Sequence, residues 1–261
     1  MAVKKSGETK IDAKISKLNS SVRKSVSYNL KKNKQIVLII GGMIGLVLLF
    51  FVFYFIFQST GRFKYDGLTF TKERFSNLVV YHYYYNFDYN GKIYNYNLYL
   101  RLDPRNYNFT IDKKYTTYFE PGKFTYISIN TTGFEKCPDS SLAIGELSAF
   151  LANNFLNPTG ATPDEQASKQ NNITYATCQN KRDRVVILIQ AGNETRIEVG
   201  KQSPLCSVIT VSNCEILPAV ERYIIETVAD AKKNTALEQG VEHIDNISGV
   251  YHWANVPENS S

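Results

Sequence analysis

A chain of 261 residues has room for one or two domains. Its formal charge of +6 belongs to one end: residues 1–34 hold ten Lys/Arg and two acids, whereas residues 58–261 hold twenty Lys/Arg and twenty-two acids. The split points the basic segment at anionic lipid. It disfavours nucleic acid as a partner of the remainder, because neutralising phosphates needs a basic surface.

In the basic arm, Ile11, Ile15, Leu18, Val22 and Val26 recur every three or four residues, with most lysines off that stripe. This fits a basic amphipathic helix lying on a membrane surface. A short coiled coil or a disordered tail fits the same residues. Ile36–Phe57 follows, IVLIIGGMIGLVLLFFVFYFIF, 22 residues without a charge. At ~1.5 Å per residue such a helix spans about 33 Å, enough for a hydrocarbon core of ~30 Å. Lys31, Lys32 and Lys34 crowd its N-terminal flank and Gln58–Gly61 is uncharged. The positive-inside rule therefore predicts a cytoplasmic arm (1–34), a transmembrane helix (35–57) acting as an uncleaved signal anchor, and an extracytoplasmic remainder. Gly41 and Gly45 give a small-residue spacing through which two such helices can pair as a homodimer.

All four cysteines, Cys137, Cys178, Cys206 and Cys214, lie beyond the span. An even number on the oxidising side predicts two disulfides. Cys206–Cys214 with Cys137–Cys178 is the favoured pairing of three. A zinc site made of all four cysteines is disfavoured because no C-x-x-C pair exists. Asn108, Asn130, Asn172, Asn193, Asn246 and Asn259 begin glycosylation sequons.

The outer domain, 58–234, opens with aromatic strands. Asn90-Gly91 predicts a type I′ hairpin turn, since both residues tolerate positive φ. Pairing about it sets Phe87 opposite Tyr94, Tyr85 opposite Tyr96, Tyr83 opposite Leu98, Tyr81 opposite Leu100 and Val79 opposite Leu102. These ten share one apolar face, which fixes the register. Strands are also expected at Tyr107–Ile111, near Tyr115–Phe119 and at Phe124–Ile129. A helix capped by Asp139 should run to about Leu156, burying Ile144, Leu147, Phe150, Leu151 and Phe155. Thr162-Pro163-Asp164-Glu165 reads as a capping box with proline at the first helical position.

Four further strands are expected, at Ile173–Thr177, Val185–Gln190, Thr195–Val199 and Cys206–Val211, with a hairpin turn at Ala191-Gly192-Asn193. A last helix should run from about Glu215 to Lys233. Residues 235–261 lack a sustained period and read as a mobile tail in which Val250, Tyr251 and Trp253 are available to dock back. The order predicts an α+β fold: antiparallel sheets with helices packed on one face, preceded by one transmembrane helix.

Little in the sequence points to catalysis, and no cofactor or metal is expected. His82, His243 and His252 are the three histidines, and no H-E-x-x-H, G-x-S-x-G, Walker A or G-x-G-x-x-G run occurs. Eight tyrosines interleave with asparagines over Tyr81–Tyr99. Half belong to the inward face. The outward set, His82, Tyr84, Asn86, Asn95, Asn97 and Tyr99, continued by Arg101, is the candidate binding face. Tyrosine supplies contact area at low entropy cost and asparagine supplies adaptable hydrogen bonds. The expectation is a non-enzymatic membrane-anchored binding protein (adhesion, envelope assembly or ligand sensing) contacting an envelope protein or glycan. The alternative is a structural subunit of a membrane-embedded secretion or division assembly; a surface enzyme comes third.

The runs YDGLTFTKERF (65–75), YNLYLRLDPR (96–105) and CSVITVSNCEILPAVERYIIETV (206–228) resemble membrane-anchored proteins encoded by small-genome archaea, over most of residues 65–233. The resemblance implies an archaeal envelope setting. It brings no activity, ligand or catalytic residue.

Overall fold

The computed structural model describes residues 34, 37–54, 61–107, 109–112, 119, 122–238 and 250–251. The basic arm lies outside them, as do Asn108, Asn246, Asn259, Trp253 and most of the strand expected near Tyr115–Phe119. The chain divides into two units, residues 1–60 and 61–261.

In the first unit, helix α1 (Val37–Tyr54) has 18 residues with a mean hydropathy of 2.7, and none of it is buried within the chain. It is long and apolar enough to cross a membrane. A helix with no polar face and no protein cover is one that lipid suits better than water.

The second unit is α+β. Its first sheet grows from tight hairpins. Strands β1 (Arg62–Tyr65) and β2 (Leu68–Phe75) meet at Asp66-Gly67, where φ is 51° and 72°. Strands β3 (Leu78–Tyr89) and β4 (Lys92–Leu100) meet at Asn90-Gly91, where φ is 54° and 72°. Both are the two-residue turns whose twist matches paired strands. The β3–β4 register places Phe87 opposite Tyr94, Tyr85 opposite Tyr96, Tyr83 opposite Leu98 and Tyr81 opposite Leu100, as the apolar alternation requires. The ladder stops there. Val79 pairs with Arg74 of β2 instead of Leu102, which lies beyond the end of β4.

β4 covers one edge of β3. The other edge is shared by β2 and then by β12 (Val250–Tyr251), which adds in parallel at Asn86–Phe87. The segment expected as a mobile tail thus supplies a strand. Tyr251 is buried, hydrogen-bonds Tyr83 through the two hydroxyls, and stacks on Tyr85 at 5.5 Å.

The second sheet has seven strands: β5 (Thr110–Ile111), β6 (Thr125–Ile129), β7 (Pro158–Thr162), β8 (Thr174–Tyr175), β9 (Val185–Ala191), β10 (Arg196–Val199) and β11 (Cys206–Val211), in the order β5-β10-β11-β9-β6-β7-β8. Here the antiparallel expectation fails. Only β10–β11 is antiparallel, and the five remaining ladders are parallel. The turn at 191–193 does not close a hairpin, because β11 inserts between β9 and β10. The cause is visible in β9 and β11, which show no polar/apolar alternation and are largely buried on both faces.

Helix α2 (Ser140–Asn153) links β6 to β7, and α4 (Ile216–Glu238) follows β11. Both lie between the sheets. Leu147, Phe150 and Leu151 of α2 join one core with Phe70, Tyr83, Tyr85 and Leu98 of the first sheet and Ile127, Ile187 and Ile209 of the second. α4 extends past its expected end, burying Thr235 and Ala236 in its last turns. The short α3 (Glu165–Asn171) is capped by Asp164, whose side chain accepts from the amides of Gln166 (2.8 Å) and Ala167 (3.0 Å). The cap is therefore Asp164 and not Thr162.

The disulfides are Cys137–Cys214 and Cys178–Cys206, which corrects the expected pairing. Cys206 opens β11 and Cys214 lies just past its far end. A strand advances ~3.3 Å per residue, so the run between them holds the two well beyond the reach of a disulfide. Cys137–Cys214 ties the lead-in of α2 to that of α4. Cys178–Cys206 pins the segment after β8 across the outer face of the second sheet.

Candidate functional site

Residues of β2, β3 and β4 that point away from α2 and α4 form the outer face of the first sheet. His82, Tyr84, Asn86, Asn95, Asn97 and Tyr99 all lie on it, with Asn86 opposite Asn95, Tyr84 opposite Asn97 and His82 opposite Tyr99. Two apolar residues that sequence reasoning left out, Phe75 and Leu78, close one end of the face. Phe75 is 55% exposed, Tyr84 49% and Tyr99 44%, so these rings are presented rather than packed. The alternation of β2 carried the signal for Phe75.

His82 organises the centre. Its Nδ1 lies 2.7 Å from a Glu73 carboxylate oxygen and its Nε2 lies 2.9 Å from Asn97 Oδ1. The ring stacks on Tyr99 at 4.5 Å, and Phe75 meets Tyr99 edge-on at 6.2 Å. A histidine–carboxylate pair can serve a nucleophile, but here the second nitrogen meets an amide. The arrangement holds a rigid, partly aromatic surface.

Arg101 does not share the face. β4 ends at Leu100, and the Arg101 amide turns inward to donate to Glu221 of α4. Glu221 also accepts from the Leu102 amide at 3.2 Å and from the Tyr107 hydroxyl. Glu146 of α2 faces the same place, and neither of its oxygens meets a donor among the described residues. Burial, then the neighbouring Glu221, push the Glu146 carboxyl up to about 8, against the pull of Arg101. Burial also raises Glu221, opposed by its hydrogen bonds. Burial thus favours a proton on this pair of carboxyls, while the donors to Glu221 favour its charged form.

A second acidic cluster sits further along α4. Arg222 bonds Asp66 of the β1–β2 turn at 3.0 Å, also pairs with Glu226, and lies 4.8 Å over the Tyr65 ring. Burial and Asp66 push Glu226 up to about 8. Lys232 Nζ donates to the Gly67 carbonyl at 2.8 Å. Both clusters clamp α4 to the first sheet rather than opening onto a cleft. An apolar gap of about 530 Å³ at the start of α2 is lined by Ile129, Phe134, Ile144 and Ile216. Its one carboxylate, Glu135, already accepts from the Gly133 amide at 3.0 Å. No group of three or more His, Cys, Asp or Glu side chains is arranged for a metal among the described residues.

Of the sequons inside the described residues, Asn172 and Asn193 are exposed, whereas Asn130 Oδ1 accepts from the Thr132 amide at 3.2 Å. No family model matches the chain, and no curated protein or solved structure matches it either.

Proposed function

We propose that this chain is a membrane-anchored interaction module. It carries its α+β domain on the oxidising side of a membrane and binds an envelope protein or glycan through the outer face of the first sheet. The observation that carries the reading is the exposed aromatic set Phe75, Tyr84 and Tyr99, held rigid around His82 and rimmed by Asn95 and Asn97. Exposed aromatic surface with a polar rim is what recognition faces use. Two disulfides and a helix suited to lipid support the placement. The lysine-rich flank supports a cytoplasmic N-terminus, and the sequence resemblance supports an archaeal envelope. A Cβ added at Gly41 or Gly45 would meet nothing within 4 Å, which leaves a smooth helix surface for self-association.

A photoreactive residue placed at Tyr84 or Tyr99 in whole cells tests the reading. Discrete crosslinked products at both positions, absent from the same label at Asn171 on α3, are expected. Equal labelling at all three positions overturns it. Protease added to intact cells should degrade the cysteine-bearing domain and spare residues 1–34; the reverse pattern overturns the topology.

A further inference from the structure

The second sheet also has an outer face, and it is partly roofed. After β8 the chain turns back over it. Ser128 of β6 donates to the Ala176 carbonyl at 2.6 Å, and Cys178 then bonds Cys206 of β11. Between this strap and the turn at 200–202 opens a cleft of about 300 Å³. Its floor is apolar and shallow, made by Leu188 of β9 and Val208 of β11.

The walls do not need to form on binding. Thr177 and Asn180 lock the strap, with the Thr177 amide donating to Asn180 Oδ1 at 2.7 Å and the Asn180 amide to Thr177 Oγ1 at 3.1 Å. Opposite them, Gly200 packs so tightly on the disulfide that an added Cβ would stand 2.8 Å from Cys206 Cβ and 3.0 Å from Cys178 Sγ. Rigid walls spare a ligand the entropy of ordering them.

The chemistry of the walls is amide chemistry. Gln179, Gln190 and Gln202 line the cleft from three separate segments. Each offers donors and an acceptor in one group, which matches hydroxyls that do both. Tyr175 adds a ring and a hydroxyl. An anion is disfavoured, because Glu198 stands in the same wall as Lys201. A divalent cation is disfavoured too, since it wants six or more oxygens and the one carboxylate here lies 3.3 Å from Arg196 Nε. A peptide strand would need a free sheet edge, and this is a sheet face.

From this shape and lining we propose that the cleft binds a single pyranose ring, with its C–H face on Leu188 and Val208 and its hydroxyls on the three glutamines. The site lies on the opposite sheet from the His82–Tyr99 face and stands or falls separately from it.

The test uses the full-length chain in a lipid nanodisc, which keeps sugar-headed detergents out of the sample. Saturation-transfer NMR is recorded with glucose, N-acetylglucosamine, glucuronate and, as a non-sugar probe, glycine amide. Millimolar binding of at least one sugar, with saturation strongest on the ring C–H protons, is expected. Gln190→Leu and, away from the sheet, Gln202→Ala should each weaken it by about tenfold, one lost hydrogen bond inside a site. Lys169→Ala, on the exposed side of α3, should leave it unchanged. The proposal is overturned if none of the three sugars binds, if glycine amide binds as well as they do, or if both glutamine variants, folded by circular dichroism, bind like the parent.

Discussion

Glu146→Gln separates the proton held between α2 and α4 from the packing around it. In the folded chain the Glu146 carboxyl is pushed up to about 8, from a usual value of 4.5. The native state therefore holds a proton that the unfolded chain releases. A raised carboxyl of this kind stabilises fully below 4.5, and its contribution drains away as pH rises toward 8, at about 1.4 kcal/mol per pH unit. Glu226 has the same window and the same sign. The groups facing Glu146 are Tyr96 of β4, Arg101 and Tyr107 beyond it, and Glu221 on α4. Burial, then Glu146, raise Tyr96 to about 12 and burial raises Tyr107, so neither titrates in this range. Asp103, held low by Arg105, titrates below it.

Glutamine keeps the shape and an N–H for Glu221 but has no proton to lose. Between pH 5 and 7 the parent should therefore lose about 3 kcal/mol more than the variant, or roughly 6–12 °C in Tm for a domain of this size. Thermal unfolding of the full chain with its disulfides intact, followed by circular dichroism at pH 5, 6 and 7, measures the difference between the two slopes. Glu226 is common to both proteins and cancels. Parallel slopes would refute the shared-proton reading of this pair.

Three other outcomes follow from the fold. Non-reducing peptide mapping should recover Cys137–Cys214 and Cys178–Cys206. On the loop-entropy model, their separations of 77 and 28 residues correspond to about 4.5 and about 3.6 kcal/mol, so losing the first pair should lower the denaturant midpoint more. Tyr251→Phe should cost about 1–3 kcal/mol in chemical denaturation, because it leaves the buried Tyr83 hydroxyl without its partner; Tyr84→Phe, on an exposed ring, should cost under about 0.5 kcal/mol. Gly200→Ala should push the 178–206 bond out of place, and free-thiol titration after mild reduction should find that bond opening before the 137–214 bond.

The local chemistry of the first sheet is open to reading. Asn90-Gly91 and the Tyr/Phe alternation on either side specify one turn and one register, because a shift by one residue would bury Asn86 and Asn95. Asp66-Gly67 carries the same turn signal, and it anchors the Arg222 cluster. The antiparallel expectation for the second sheet assumes hairpins wherever short strands follow one another. VVILI at 185–189 is an unbroken apolar run and CSVITV at 206–211 has no wholly polar face, the mark of strands covered on both sides. β7, PTGAT, has little strand propensity and forms because its neighbours accept it. The outward face of His82 to Tyr99 is legible from parity alone. Arg101 leaves it because parity holds only while the strand continues. The Gln-lined cleft is not legible, since its residues come from separate segments that only the disulfide and the parallel order bring together.

Strand β12 makes the first sheet wait for residue 251. During synthesis the edge of β3 at Asn86–Phe87 emerges some 160 residues before its partner. Until then Tyr83 and Tyr85 lack Tyr251 beside an unpaired strand edge, the kind of surface that pairs with any extended chain nearby. An intermediate stalled before residue 250 would be sticky at one defined place. Quality control for this chain, or a partner arriving early, would find its handle there.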